Sequence, residues 1–379
     1  MISESRKFFI MDRSLYISRS FWNDPADVVL GNGPNSIPDF ISIGGSVIFK
    51  TSGSNGAPKW VVHEKRAMLV SAEAVNAWLE VNQHSRWGLV LPIEHVGGFA
   101  ILARVFQADC GLAEFDRKWD AGEFHRWLGV ENVTHVSLVP TQVHDLVKVA
   151  LPAPSHLRAV VVGGGRLNDA LGQAARDLGW PVLASYGMTE AGSQIATQAM
   201  DDLKKPFSEG SLKILPIWQV ESDTDERLSI SGDALFRGYM FQEGNSGRLE
   251  PLSGKVFLTQ DRGIISQNHL KLLGRMDNLV KMLGVLVDIE AVERRFIEIA
   301  AGRVNPEKFT VIALPDPRKE HVLVAVFEGE IPILCFEEYQ RTAPKLERFS
   351  DVFEVEVFPR SSLGKIRRGE LSEICGLMR

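Results

Sequence analysis

Arg158-Ala159-Val160-Val161-Val162-Gly163-Gly164-Gly165, followed by Arg166-Leu167-Asn168, decides the fold. Four consecutive apolar residues specify a strand buried on both faces, because a half-exposed strand would alternate apolar with polar. The glycines then let the backbone turn tightly out of the sheet. From about Asn168 a helix is expected, with Leu171, Ala174, Ala175 and Leu178 on one face and Gly179 as its stop. Pro181-Val182-Leu183-Ala184 starts the next strand. A strand–loop–helix–strand repeat makes successive strands parallel and covers the sheet with helices. In such folds ligands sit outside the carboxyl ends of the strands, where these loops lie.

The same texture extends towards the N-terminus. Val133–Val139 reads as a strand stopped by Pro140, with Thr141 capping a helix that carries Val143, Leu146, Val147 and Ala150. Trp87–Leu91 reads as another strand, and Glu64–Glu80 as a helix with Ala67, Val70, Ala74, Ala77 and Trp78 on one face. Val47-Ile48-Phe49 is a buried strand ending at Lys50. It leads into Thr51-Ser52-Gly53-Ser54-Asn55-Gly56-Ala57-Pro58-Lys59. Glycines admit an anion close to backbone N–H groups, hydroxyls add donors and lysine adds charge, which suits a phosphate cradle. A solvated turn would use the same residues, and the G-x-x-x-x-G-K-[ST] spacing of a Walker loop is absent.

Towards the C-terminus the pattern changes near Leu228. Arg227–Ile230, Lys255–Leu258 and Leu270–Leu273 are short strand-like pieces between turns, as in an antiparallel lobe. A helix near Ile289–Ile299 and strands at Phe309–Leu314 and Val322–Phe327 follow. The expected class is α/β: a large domain of helix-covered, mainly parallel sheets with a small β lobe over 1–275, then a small α+β domain over 276–379.

Composition narrows the partners. A formal net charge of −6 offers no general attraction to nucleic acid. Cys110, Cys335 and Cys375 are far apart, as in a reducing compartment, and the nine histidines form no H-x-x-x-H pair. No apolar run reaches membrane-spanning length and the charged N-terminus is no signal peptide, so a cytoplasmic location is expected.

Four further segments carry chemistry. Tyr186-Gly187-Met188-Thr189-Glu190 brings a hydroxyl and a carboxylate to a strand end, fit for a phosphate oxygen and a Mg²⁺, or simply for starting a helix. Asp261, in Thr259-Gln260-Asp261-Arg262-Gly263, can accept from ribose hydroxyls or serve a turn. Gly274-Arg275-Met276-Asp277-Asn278-Leu279-Val280-Lys281 is a second polar cluster. Pro359-Arg360-Ser361-Ser362-Leu363-Gly364-Lys365 places a lysine after a glycine, in what could also be solvated surface.

Taken in order, the five segments resemble the adenylate-forming superfamily of acyl-CoA synthetases, adenylation domains and luciferases, from about Val47 to Arg368. The resemblance implies that Thr51, Ser52, Gly53, Ser54, Asn55, Gly56 and Lys59 embrace the β- and γ-phosphates of ATP. It puts Gly163, Gly164 and Gly165 against adenine, with Tyr186 and Gly187 in the nucleotide site, Thr189 on the α-phosphate and Glu190 on Mg²⁺. It gives Asp261 and Arg275 the ribose, makes Asp277 the hinge of a mobile C-terminal lid, and makes Lys365 the lysine that completes the adenylation site. Leu91-Pro92-Ile93-Glu94-His95-Val96-Gly97-Gly98 resembles the segment whose histidine, here His95, borders the acyl pocket. Thr134–Gln142 looks like the corresponding stretch of the o-succinylbenzoate–CoA ligases of menaquinone biosynthesis. The implied reaction converts a carboxylate, aromatic in that case, to acyl-AMP and then to a thioester with CoA. Another aryl- or acyl-CoA ligase, an acyl-AMP ligase loading a carrier protein, and a non-catalytic nucleotide binder are the alternatives. Arg104 and Arg158 are candidates for a second carboxylate of the substrate.

Departures stand beside the matches. Asn55 replaces the commoner Thr, Gln260 the usual Gly and Ser361 the usual Thr. Met282-Leu283-Gly284-Val285-Leu286-Val287 stands where relatives carry a polar Gly-Gly loop that lines the thiol channel. About fifty residues precede the first loop, so a shortened leading subdomain is expected.

Overall fold

The computed structural model describes residues 13–30, 43–52, 58–243, 246–360, 364 and 366–378. The chain divides into two compact units. The first runs to Asp223 and includes Ser229–Thr259 and Ile264–Lys271; the second takes Thr224–Leu228, Gln260–Gly263 and everything from Leu272. The division thus falls a few residues ahead of the expected Met276, and it carries Asp261 into the second unit.

In the first unit five short strands lie side by side. Gly111–Glu114, Arg86–Leu89, His135–Leu138, Ala159–Val162 and Val182–Met188 are neighbours in that order, and every pair is parallel. Ala159–Val162 is buried along its whole length, as a strand covered on both faces must be. Asn168 caps the following helix, Asp169–Asp177, by accepting from the Leu171 N–H. One expected cap is corrected. The helix Pro140–Val149 begins at the proline itself, with Val139 at the cap position, because proline's fixed φ and missing N–H suit a first helical turn.

Two of the elements that the sequence pattern does not announce bear on the site. Pro58–Glu64 is a strand, paired antiparallel with Ser46–Ser52 in a five-stranded sheet that also holds Gly238–Glu243. The glycine-rich segment therefore joins two strands of a hairpin and does not lead directly into a helix. Trp60 and Val62 alternate to one face and form a core with Ile48 and Met240. The second element is the helix Val96–Ala108, whose Phe99 is fully buried against the rings of Tyr16, Phe21 and Phe49. Lys65, at the start of the helix Lys65–Trp78, is 3% exposed; its ammonium donates to the carbonyls of Phe21, Asp24 and Ala26 at 2.9–3.0 Å. That satisfies all three donors of a buried charge and fastens the N-terminal segment to the first unit.

The second unit is built on a three-stranded sheet in which Glu320–Glu328 pairs antiparallel with Phe309–Asp316 and parallel with Asp351–Val355. Alternation splits its side chains into two cores. Val311, Leu323, Ala325 and Phe327 pack with Phe296 and Tyr339, while Ile312, Leu314, Val322 and Val324 pack with Phe358 and Leu371. The helices Ile289–Ala300 and Ile333–Thr342 cover the first face, and Arg368–Met378 the second.

Candidate active site

In the first unit the hairpin sets Thr51 opposite Lys59, and the Thr51 hydroxyl donates to the Lys59 carbonyl at 3.2 Å. The strand's period of two then puts Lys59, Val61 and His63 on the face opposite the Trp60 core. Glu190 arrives on the turn Thr189–Ala191, at the carboxyl end of Val182–Met188. Lys59 Nζ lies 3.5 Å from Glu190 Oε1. Tyr239, paired with Val61 from the neighbouring strand, donates its hydroxyl to the same oxygen at 2.7 Å. Its ring lies 3.9 Å from Lys59 Nζ, a cation–π contact. Burial, reinforced by the Glu190 carboxylate, pushes the Tyr239 pKa up, so the phenol is a donor at neutral pH.

The turn that carries Glu190 is tightly constrained. Gly192 takes φ +62° and Ser193 φ +139°, a backbone region that side-chain-bearing residues rarely enter. A Cβ on Gly187 would overlap the Ser193 carbonyl oxygen, so glycine alone permits the bulge between these strands. The Phe236 N–H donates to the Glu190 carbonyl at 2.9 Å. From beneath, the fully buried His63 donates through Nε2 to the Thr189 carbonyl. That bond assigns its neutral tautomer, and Nδ1 has no partner among the described residues.

Desolvation holds His63 at a pKa of about 4, and it holds the equally buried His135, whose Nε2 meets the Leu79 carbonyl at 3.2 Å, at about 4 as well. Both folded values lie below the unfolded 6.5, so between these limits the unfolded chain binds more protons and stability rises with pH. Acidification from pH 6.5 to 5 is expected to remove roughly 2 kcal/mol per histidine. Urea midpoints at pH 5.0 and 6.5 measure it; a midpoint that does not move over this range would contradict the burial of neutral imidazoles, and a His63→Gln/His135→Gln chain should show a flatter response.

The glycine loop packs closely on its neighbours. Gly164 takes φ +74°, a Cβ on Gly163 would lie 3.0 Å from Ser185 Oγ, and one on Gly165 would lie 3.3 Å from Pro140. It stands at the end of the strand next to the one bearing Tyr186 and Gly187. His95 occupies the cap position of Val96–Ala108 and is half-buried. A Cβ on Gly98 would overlap the Pro92 carbonyl oxygen, which explains the close approach of this helix to the strand end.

The same helix delivers Arg104, whose guanidinium is 1% exposed. Its Nη2 donates to Ser193 Oγ at 3.0 Å and its Cζ lies 5.1 Å from the Trp87 ring centroid, while Nε and Nη1 have no partner among the described residues. Burial lowers its pKa to about 9. Arg158, the other candidate, is paired with the exposed Glu80 carboxylate at 3.1 Å and carries no such vacancy.

Asp261, Arg275 and Asp277 meet in the second unit. Arg275 donates to Asp261 Oδ1 at 3.1 Å and takes Asp277 in a two-bond fork at 2.8 and 2.7 Å. The Asp277 bond, followed by both carboxylate charges, raises the Arg275 pKa. Gly53, Ser54, Asn55, Gly56 and Lys365, and the side chain of Ser52, lie outside the described residues. The structure thus brings Thr51, Lys59, Thr189 and Glu190 together in one unit and Asp261, Arg275 and Asp277 together in the other.

Among the described residues no three of His, Cys, Asp and Glu cluster as a metal cage. A single part-buried carboxylate, Glu190, beside a hydroxyl- and lysine-bearing hairpin fits Mg²⁺, which favours one or two carboxylates plus substrate phosphates. His63 and Tyr239 were missed from sequence. Had Pro58–Glu64 been recognised as a strand, the Lys59–Val61–His63 alternation would have singled out the histidine.

The helix-covered parallel sheet, the hairpin that sets Thr51 opposite Lys59 and the turn that carries Thr189 and Glu190 are all parts of one unit. The chain belongs to the AMP-binding enzyme family, which it matches over residues 46–240. It is 30% identical over 306 residues to the 2-succinylbenzoate–CoA ligase of Escherichia coli strain K12, covering 79% of this chain and 61% of the relative. The chain therefore spans about three fifths of that relative's length. Among solved structures it resembles E. coli MenE with bound OSB-AMS, with TM-score 0.70 and 26% identity over 88% of this chain and 69% of that one. The Bacillus subtilis o-succinylbenzoate coenzyme A synthetase in complex with ATP and magnesium ion shares the fold, with TM-score 0.72 at 23% identity over 86% and 69% of the two chains.

Proposed function

We propose that this chain is an AMP-forming acid–thiol ligase that activates o-succinylbenzoate and passes it to CoA in the cytoplasm. The observation that carries the proposal is the meeting of Lys59 and Glu190, 3.5 Å apart, on the segment that matches the family. The 2-succinylbenzoate–CoA ligases among its relatives, and the buried Arg104, favour a substrate with a second carboxylate.

In the first step a carboxylate oxygen attacks the α-phosphorus of ATP, the bond to the bridging oxygen breaks and pyrophosphate leaves. Thr51, Lys59 and the glycine loop between them hold the departing phosphates, and Thr189 orients the α-phosphate. Glu190 would hold Mg²⁺, which would supply positive charge to offset that accumulating on the phosphate oxygens. In the second step the CoA thiol, losing its proton, attacks the acyl carbon and AMP leaves. Residues 276–379 act as a lid that swings about Asp277 between the steps.

A second reading, transfer to a carrier protein, is favoured by the apolar tip of the hairpin Leu279–Met282/Val285–Asp288. There Leu283, Val285 and Leu286 are 57%, 49% and 63% exposed where relatives carry a polar loop. Pyrophosphate release across a panel of carboxylates, then thioester formation with free CoA, decides both matters. Strong release with o-succinylbenzoate and a CoA thioester are expected. Silence with that acid beside a strong response to another overturns the substrate, and release without a CoA thioester favours the carrier.

A further inference from the structure

We infer that Tyr239 is a positioning residue for Mg·ATP, holding Glu190 with its hydroxyl and Lys59 with its ring so that the ion pair between them stays long and open to the nucleotide. The inference rests on the adenylating reading of the site and adds to it a residue outside the five sequence segments.

Lys59 and Glu190 carry opposite charges and face each other across the cleft between hairpin and turn. Left alone, they would close to the 2.7–2.9 Å of a charge-assisted hydrogen bond and occupy one another. They stand at 3.5 Å. Two features of Tyr239 account for that distance. Its hydroxyl fills the Glu190 Oε1 lone-pair direction at 2.7 Å, and its ring face offers the ammonium a competing partner at 3.9 Å. One carboxylate oxygen is thereby fixed, which orients the other for a cation. The ammonium is held beside the strand end from which the phosphate-type segment departs.

The tyrosine is itself rigidly placed. Its strand is registered against Pro58–Glu64, and its ring packs on Phe236 and Phe257 with centroids 4.8 and 6.4 Å away. Phe236 also donates its N–H to the Glu190 carbonyl, so side chain and backbone of the metal-type residue are referenced to one segment.

The two functions of the side chain separate by substitution. Tyr239→Phe keeps the ring and loses the hydroxyl; Tyr239→Leu loses both. Calorimetric titration with ATP, with and without Mg²⁺, reads binding independently of turnover. Tyr239→Phe is expected to weaken Mg·ATP about tenfold, the scale of a hydrogen bond to a charged group, and to change metal-free ATP less than twofold. Tyr239→Leu is expected to weaken both. In pyrophosphate release, the Phe variant should show its loss chiefly in KM for Mg·ATP. Wild-type chain that binds Mg·ATP while Tyr239→Phe binds it equally well overturns this inference alone. Wild-type chain that binds no Mg·ATP overturns the adenylating reading, and this inference with it.

Discussion

Lys365→Ala is expected to slow pyrophosphate release by on the order of 10²–10³ while ATP binding changes by no more than a few-fold. Two anions meet in the first step, and charge gathers on the α-phosphate oxygens only as the transition state forms. A donor aimed at that charge acts on the rate and hardly on ground-state binding. The described residues on either side of position 365 are themselves firmly tied. Arg360 and Ile366 form a β-bridge, and the Arg367 N–H donates to the Pro359 carbonyl at 2.8 Å. Gly364 takes φ +79°, which glycine alone adopts freely, and Arg360 donates to its carbonyl at 3.0 Å and to that of Glu307 at 2.6 Å. Arg368, just beyond, is locked to Glu293 at 2.7 Å and to Thr310 at 3.2 Å. This frame does not depend on the lysine side chain, so the alanine variant should keep its fold. Thioester formation from supplied acyl-AMP should persist in the variant. Equal loss of both half-reactions would refute an adenylation-specific role.

The parts of the fold that were legible are those where local pattern and burial agree. Ala159–Val162 lies in the middle of the sheet, so its whole run is apolar and reads unambiguously. Pro58–Glu64 was harder, because its functional face carries Lys59 and His63 and its first residue is a proline. Val61, apolar on the same face as Lys59 and His63, leaves a run Trp60-Val61-Val62 in which the alternation of a strand does not show. Gly97 and Gly98 likewise masked the helix Val96–Ala108, since glycine is a poor helix former and is required there by the close approach of the Pro92 carbonyl. In the site, Lys59 and Glu190 were legible because their neighbours in sequence form recognisable segments. Tyr239 was not. It acts through strand pairing with a segment far away in sequence, and nothing local to it announces an ion contact.

Arg104→Leu is expected to melt higher than the native chain and to lose most of its activity towards o-succinylbenzoate. A guanidinium at 1% exposure, with Nε and Nη1 unpartnered among the described residues, sits in the first unit without an anion in contact. Taking that charge out of water costs several kcal/mol, which a single hydroxyl from Ser193 and the face of Trp87 offset only in part. The depressed pKa of about 9 is the same cost expressed as proton affinity. Leucine would remove it, for a gain of roughly 1–2 kcal/mol once the lost ring contact is subtracted. Under the proposed function a substrate carboxylate, met directly or through water, would supply the partner that Nε and Nη1 lack among the described residues. Losing one member of such a pair costs about 2–5 kcal/mol, or roughly 30- to 5,000-fold in kcat/KM. The loss should be specific: for an aromatic monocarboxylate, which has no second anion to offer, the native and Leu variants should differ little. Melting temperature and kcat/KM for the two acids separate the cases. If Arg104→Leu melts lower and loses both acids alike, the arginine is a structural member of the sheet–helix interface, and the second carboxylate must be recognised by another group.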